Sequence, residues 1–518
     1  MKKDILISDK AFTWCSYAVI IAFSLFPILF SLPFRIHLDL PYEGAYRMYI
    51  GQVPFKDFAI PFGYGFLIVP TLFFHIFGPN LFSLIYAQVF LNILSGLAVM
   101  SILKSLKIEK SVIFIASLVY CLSYIFIYFW PWHTHTAYTY GILAIALILK
   151  QEKFSGYKQI GLVALAALFS FLSFFTKQDY GGLNLLFCGT VLLLLALYSK
   201  NIKPLIVFCV SYALIACAFI VPLLKYGFGY WFNHGQPPHT ARLELIDFLN
   251  EIFMGSDWEK FYLLAIVLIL VSQLPRLKEF IQEKYNVLAI IICIGMILEA
   301  LLTKVTSRMS TTITTYYHAF ALAIILSYLA KKIPFNKAIV LAPFLLFLFL
   351  WWSPMYWKYA SRMFPLAESK IPRRGEVAKV QKAWELSEFR TLKKIKIPTE
   401  TIQGMRKLKE MSQFSPSAKV MNMTELTSLP VELNYTPISG IPLWYDVGVA
   451  IFPKQIDEIC TNVQKKEYDV FLFEEVPSLP GFYPEEVRDC LKKNYKLVDT
   501  FLAPRKEEDA TIEVYIKP

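Results

Sequence analysis

The chain has 518 residues, of which 56% are hydrophobic and 17% charged, with a net charge of +12 and a mean hydropathy of +0.49. That balance is too apolar for a soluble chain of this length, and it points to a multi-pass membrane protein. The basic excess sits in residues 1–360, with 27 Lys/Arg against 16 Asp/Glu, while residues 361–518 carry 24 against 23. Basic charge beside apolar spans fixes orientation, so no nucleic-acid partner is expected.

At the N-terminus, Lys2, Lys3 and Lys10 precede an apolar run over 11–33 with no small-residue cleavage site at its end. This reads as an uncleaved signal-anchor with a cytoplasmic N-terminus. An outer loop with juxtamembrane helices follows over 34–80. Its apolar part, 60–78, holds Pro61, Gly63, Gly65 and Pro70, which suit a re-entrant or juxtamembrane piece better than a lipid-facing span.

The lysines agree. If 60–78 does not cross, the N-terminal three and the connectors bearing Lys104, Lys107, Lys110, Lys150, Lys153, Lys158, Lys200, Lys203, Arg276, Lys278, Lys284, Lys331, Lys332 and Lys337 all face the cytoplasm, 17 of the 27 basic residues. The opposite assignment inverts the positive-inside rule. About eleven spans are then expected, at 11–33, 81–103, 111–130, 135–149, 160–176, 182–198, 204–223, 260–274, 286–303, 314–330 and 338–353. An odd count places the C-terminus outside.

The transmembrane domain is read as 1–355, followed by a basic helical linker over 356–416 and a small soluble α/β domain over 417–518. In that last domain the alternation of β-branched and amphipathic runs predicts strands at 419–423, 468–473, 497–502 and 511–516 and helices at 454–466 and 484–493. It has no Gly-rich phosphate loop or zinc spacing, so no chemistry is assigned to it. The fold class is thus an α-helical polytopic membrane protein with a C-terminal extracytoplasmic α/β domain, located in the cytoplasmic (inner) membrane.

Six of the eight cysteines (15, 121, 188, 209, 217 and 293) lie in apolar spans. Cys460 and Cys490 fall on predicted helices in a compartment that permits disulfides, so a bridge is compatible with the sequence, which does not by itself fix connectivity.

Polar groups gather on the expected outer side. Asp39 and Glu43 are four residues apart, the spacing of one helical face at a lipid–water boundary. Partial desolvation there raises a carboxyl pKa and suits it to take a proton from a hydroxyl; the plain alternative is a solvated loop. Lys177, within 176–179 at the end of the fifth span, either snorkels to headgroups or grips a lipid phosphate. The other outer-side groups are His133, His135, His234, His239, Lys304 and Arg308. Glu299 is the one acidic residue well inside an apolar run, and Lys304 or Arg308 is its simplest partner. His133 and His135 lack an assigned third ligand, so no metal site is expected. No cofactor is expected either, and a divalent-cation requirement stays open.

The order of these pieces resembles the GT-C superfamily, membrane glycosyltransferases that use polyprenyl-phosphate sugars and include protein O-mannosyltransferases and aminoarabinose transferases. The resemblance rests on one span, an acidic loop motif (Asp39-Leu40-Pro41-Tyr42-Glu43-Gly44-Ala45-Tyr46), the segment Gly51-Gln52-Val53-Pro54-Phe55-Lys56-Asp57-Phe58, the stretch Pro61-Phe62-Gly63-Tyr64-Gly65, and an apolar run ending at Phe77-Gly78-Pro79. It covers about residues 10–350, and Thr176-Lys177-Gln178 looks like the lysine motif of bacterial members.

The resemblance implies a sugar donor linked to polyprenyl phosphate, an inverting single displacement, and a loop carboxylate as general base. Glu43 is favoured by motif position and Asp39 follows, because Tyr42 stands where many members have the Asp of an Asp-Glu pair. Asp57, Tyr64, Lys177, Gln178, His133, His135 and Arg308 would bind substrate, and the acceptor is not specified. A flippase for lipid-linked saccharides predicts mid-span charges that are nearly absent here. A non-catalytic assembly protein of the same fold is the third reading.

Overall fold

The structure is a computed structural model describing residues 5–35, 38–226, 244–307, 315–357, 383–448, 450–479, 481–505 and 510–518. In chain order, α1 (Asp9–Leu25) leads into β1 (Leu32–Pro33), α2 (Asp39–Tyr49), β2 (Phe58–Ala59) and α3 (Ile68–Phe77). The apolar helices follow: α4 (Leu81–Ser105), α5 (Lys110–Ser123), α6 (His133–Lys150), α7 (Gly156–Thr176), α8 (Gln178–Ser199) and α9 (Lys203–Ile220). After the short α10 (Leu245–Asn250) come α11 (Asp257–Gln273), the short α12 (Leu277–Gln282), α13 (Lys284–Ser307), α14 (Tyr317–Leu329) and α15 (Ala338–Trp351).

Each of the eleven expected spans contains a helix. Among the described residues, eight helices are long and apolar enough to cross a membrane, and the other three expected spans are α6, α14 and α15, of 18, 13 and 14 residues. The chain is a helical, multi-pass membrane protein. The 60–78 segment forms a short 3-10 turn and then α3, whose 10 residues rise only about 15 Å, half the hydrocarbon thickness.

Two compact units divide the chain. The first comprises Met1–Phe26, Gln88–Pro222 and Thr240–Tyr359. Its core is helix on helix, with α5 at the centre: 83% of the apolar window of α5 is buried, against 6% for the window over α9. An apolar helix left so exposed is one solvated by lipid. Small residues let the buried helices close up. A Cβ on Gly141 of α6 would lie 2.7 Å from Asn184 Nδ2 and 2.8 Å from the Tyr180 hydroxyl of α8, the close approach that drives packing where lipid removes the hydrophobic force between helices.

The second unit comprises Pro27–Ala87, Leu223–His239 and Ala360–Pro518. Its C-terminal elements are β3 (Trp384–Leu386), β4 (Ile395–Pro398), α16 (Thr399–Glu410), β5 (Val420–Met423), α17 (Leu429–Leu433), β6 (Ile441–Pro442), α18 (Pro453–Gln464), β7 (Val470–Glu475), α19 (Glu485–Asn494), β8 (Lys496–Leu502) and β9 (Thr511–Ile516). The main sheet has the order β5-β7-β9-β8, parallel between β5 and β7 and antiparallel elsewhere. The alternation in the sequence locates these strands and the two helices to within a few residues. Cys460 on α18 and Cys490 on α19 are joined by a disulfide, with Cα atoms 5.7 Å apart.

Two features differ from the sequence reading. The stretch expected to be a helical linker is helical over α16 but contains β3 and β4, because the β-branched residues Ile395 and Ile397 are fully buried in a small sheet; residues 358–382 lie outside the described set. The outer loop is also not separate from the C-terminal domain. Leu32 and Pro33 pair with Ile395 and Lys396, and Phe58 and Ala59 pair with Ile441 and Pro442, both parallel.

Candidate active site

In the second unit, α2 carries the acidic motif. Pro41 sits in its first turn, where a missing N–H costs nothing. Gly44 lets the helix press on Leu67, since a Cβ there would come within 2.7 Å of Leu67 Cδ1. Tyr42 is fully buried against Phe74 of α3, and its hydroxyl donates to Pro79 O at 2.8 Å.

Glu43 is buried on the same helix and is bound by Arg47 one turn later. Arg47 Nη2 donates to Glu43 Oε1 at 2.6 Å and Nε donates to the same oxygen at 2.8 Å. Oε2 accepts no hydrogen bond among the described residues. Burial raises the Glu43 pKa above the ordinary carboxylate value, although the Arg47 charge and its hydrogen bonds pull the other way. Arg47 is itself buried. Its Nη1 donates to Ile438 O at 2.8 Å and to Gln52 Oε1 at 2.9 Å, while Gln52 Nε2 donates to Pro437 O at 2.8 Å. The segment before β6 therefore holds the guanidinium that holds Glu43. Tyr435, near Glu43 and Arg47, has a buried hydroxyl whose pKa rises well above normal, first by desolvation and then by the Glu43 charge.

The other loop residues do different work. Asp57 Oδ2 accepts from Val53 N at 2.8 Å and Asp57 O accepts from Gly440 N at 2.8 Å, so Asp57 closes its own turn and anchors the segment entering β6. Tyr64 is half-buried in the turn before α3, its ring 6.3 Å from Phe55, and burial raises its hydroxyl pKa. Asp39 is the first residue of α2, and its side chain is outside the described set.

In the first unit, Lys177 occupies the one-residue break between α7 and α8. Its ammonium is ion-paired with Asp179 and donates to Thr306 Oγ1 of α13 at 3.2 Å. Gln178, half-buried, opens α8. His133 and His135 lie in the first turn of α6, with the His135 ring among Tyr124, Tyr128 and Tyr138. Ser173 Oγ donates to Ala137 O at 2.9 Å, which ties the end of α7 to the start of α6. Arg308 lies outside the described residues, as do His234 and His239.

The expectation that Lys304 partners Glu299 is corrected; the other expected partner, Arg308, lies outside the described residues. Lys304 pairs with Glu259 of α11, and lies 3.7 Å from Glu251. Glu299, fully buried on α13, instead accepts from Asn184 Nδ2 at 2.8 Å, the Tyr180 hydroxyl at 3.0 Å and the Tyr316 hydroxyl at 3.4 Å. Neutral donors satisfy it, as a carboxylate deep among helices requires.

The sequence-derived residues thus fall into two sets: Asp39, Glu43, Asp57 and Tyr64 in the second unit, and His133, His135, Lys177 and Gln178 in the first. Sequence reading missed Arg47 as the partner of Glu43, although the i,i+4 spacing was a usable signal. It also missed Asp179 as the partner of Lys177. Tyr180, Asn184, Tyr316 and Tyr435 had no local signal at all. Among the described residues, no group of three or more His, Cys, Asp or Glu is placed to hold a metal ion.

No protein-family profile matches the chain, and no curated protein does. Among solved structures, the chain is similar to an oligosaccharyltransferase from Archaeoglobus fulgidus, solved with zinc and sulfate, at 10% identity and a TM-score of 0.49, covering 93% of this chain and 71% of that one. It is also similar to ArnT from Cupriavidus metallidurans in the apo state, at 11% identity and a TM-score of 0.49, covering 97% of each chain. Both are GT-C superfamily members. At that level of likeness neither assigns an activity, and the functional reading has to stand on the chain's own residues.

Proposed function

We propose that the protein is a membrane glycosyltransferase that moves a sugar from a polyprenyl-phosphate carrier to an acceptor hydroxyl or amine at the outer face of the cytoplasmic membrane. The observation that carries the reading is Glu43: a carboxylate in the outer-loop motif, buried, anchored by Arg47 through one oxygen, with the other accepting no hydrogen bond among the described residues, and with a raised pKa. That is the condition of a general base, oriented by a neighbour and made more basic than an ordinary carboxylate by its burial.

In this reading Glu43 Oε2 removes the proton from the acceptor while the acceptor atom bonds to the anomeric carbon. The bond from that carbon to the phosphate oxygen breaks with inversion, and the carrier leaves as polyprenyl phosphate. Arg47 is a positioning residue that keeps Glu43 ionised and fixed. Lys177 is assigned to the carrier phosphate. Because it is paired with Asp179 at rest, phosphate binding requires Lys177 to exchange one oxyanion for another.

Two observations support the orientation in this proposal. Lysine and arginine cluster on the connectors assigned to the cytoplasm, and a disulfide joins Cys460 to Cys490 in the C-terminal domain, as suits an oxidising compartment. The test is to supply the purified full-length chain with a mixed pool of polyprenyl-phosphate sugars and candidate acceptors and to measure polyprenyl phosphate release. Release by wild type, with the donor KM raised at least tenfold in Lys177→Ala, is expected. No release from any donor contradicts the reading.

A further inference from the structure

A cleft of about 320 Å³ lies within the first unit where four apolar helices end: the C-terminal turn of α4, the start of α5, the start of α13 and the end of α14. Its walls combine apolar side chains, among them the buried Ile290 and Ile324, with Asn286, Ser327 and two tyrosines. Its mouth carries two cations and two anions, Lys107 and Lys331 with Glu109 and Glu283.

None of these four charges has an ion-pair partner among the described residues. The two ammonium groups instead lie over tyrosine rings, Lys107 at 4.0 Å from the Tyr285 centroid and Lys331 at 4.7 Å from that of Tyr328. A neighbouring charge does pair, Lys284 with Glu152 at 2.8 Å, and the Glu283 charge acts on that same Lys284 without an ion-pair contact. Glu109 is the N-cap residue of α5 yet makes no capping bond.

The position matters as much as the charges. Helix ends of this kind lie at headgroup level, where basic clefts between spans take lipid phosphates. A purely anionic headgroup would meet the two glutamates as well as the two lysines. A headgroup bearing one phosphate and one ammonium satisfies both signs. A primary ammonium donates hydrogen bonds to carboxylates, whereas a quaternary one cannot.

We propose that this cleft is a binding site for a zwitterionic phospholipid with a primary ammonium headgroup, its phosphate between Lys107 and Lys331, its ammonium toward Glu109 and Glu283, and an acyl chain along Ile290 and Ile324. The site is independent of the transfer chemistry above.

The test is native mass spectrometry of the full-length protein after equilibration with equal amounts of phosphatidylethanolamine, phosphatidylcholine and phosphatidylglycerol. Phosphatidylethanolamine should be retained about tenfold over each of the others, corresponding to about 1.4 kcal/mol. The Lys107→Gln/Lys331→Gln pair should lose that retention, and Glu109→Gln/Glu283→Gln should shift it toward phosphatidylglycerol. Equal retention of the three lipids, a phosphatidylglycerol preference in wild type, or an unchanged preference in both double variants overturns the proposal. So does equally tight binding of water-soluble glycerophosphoethanolamine, which would mean that the apolar walls contribute nothing.

Discussion

Glu43 and Arg47 are a buried pair whose two members play unequal parts. Arg47 favours the ionised carboxylate and burial disfavours it, with burial the larger. In the proposed reaction Glu43 must be ionised to accept a proton, so activity should rise with pH through a midpoint above the ordinary carboxylate range. Arg47→Gln removes the stabilising charge, raises the Glu43 pKa further, and should move the acid limb of the pH–rate profile to higher pH. A profile that does not move would show that Arg47 does not tune Glu43. Glu299 supplies a second residue-scale prediction. Tyr180→Phe removes one of its three donors, and leaving a buried carboxylate short of a bond should cost about 1–3 kcal/mol, measurable as a lower thermal midpoint of the full chain in detergent. The spacing of Glu43 and Arg47 makes that pair legible in the sequence. Two of the partners of Glu299 lie 115 and 119 residues away and the third 17, beyond any local pattern.

Among the elements, helix contacts with no room to spare separate two kinds of glycine. Gly44→Ala would press on Leu67 Cδ1 and Cδ2 and on Leu443 Cδ1, tips of apolar side chains with no hydrogen bond to lose. Gly141→Ala would press on Asn184 Nδ2 and the Tyr180 hydroxyl, both already committed to Glu299. The α2 substitution should therefore cost under about 1 kcal/mol, while the α6 substitution should cost about 1–3 kcal/mol by overpacking. Equal midpoints for the two variants would contradict this account of the α6–α8 contact. The long apolar helices were readable because lipid demands continuous apolar runs, and β5, β7, β8 and β9 because short β-branched and aromatic runs alternate with amphipathic helices. Strands β1, β2 and β6 were not readable: two residues contain no period, and their partners are hundreds of residues apart.

For the whole molecule, the sequence reading places the outer loop within the transmembrane domain and the C-terminal region in a domain of its own, whereas Pro27–Ala87 and Ala360–Pro518 belong to one unit. Its C-terminal part is pinned by the Cys460–Cys490 bridge, 30 residues apart. Closing a loop of that size is worth about 3–4 kcal/mol in the chain-entropy account, so Cys460→Ser/Cys490→Ser should lower the stability of that unit. In intact cells, a thiol-reactive mass tag should shift the denatured protein by two further tags only after reduction. A shift of the same size without reduction would remove the support that the bridge gives to an extracytoplasmic C-terminal domain. Lysine placement gives the sequence an expected orientation, because charge bias acts connector by connector. The merging of loop and domain was not, because it rests on backbone pairing that side-chain type does not encode.

The central claim, that Glu43 is the base of a sugar transfer, is tested most directly by following radiolabelled sugar from polyprenyl-phosphate donors in membranes holding equal amounts of wild type, Glu43→Gln and Asp39→Asn. Glu43→Gln keeps the shape and a hydrogen-bond acceptor for Arg47 but cannot take the proton, so transfer should fall by about 100-fold or more while Asp39→Asn retains most of it. Full activity in Glu43→Gln, or a collapse confined to Asp39→Asn, would contradict the assignment.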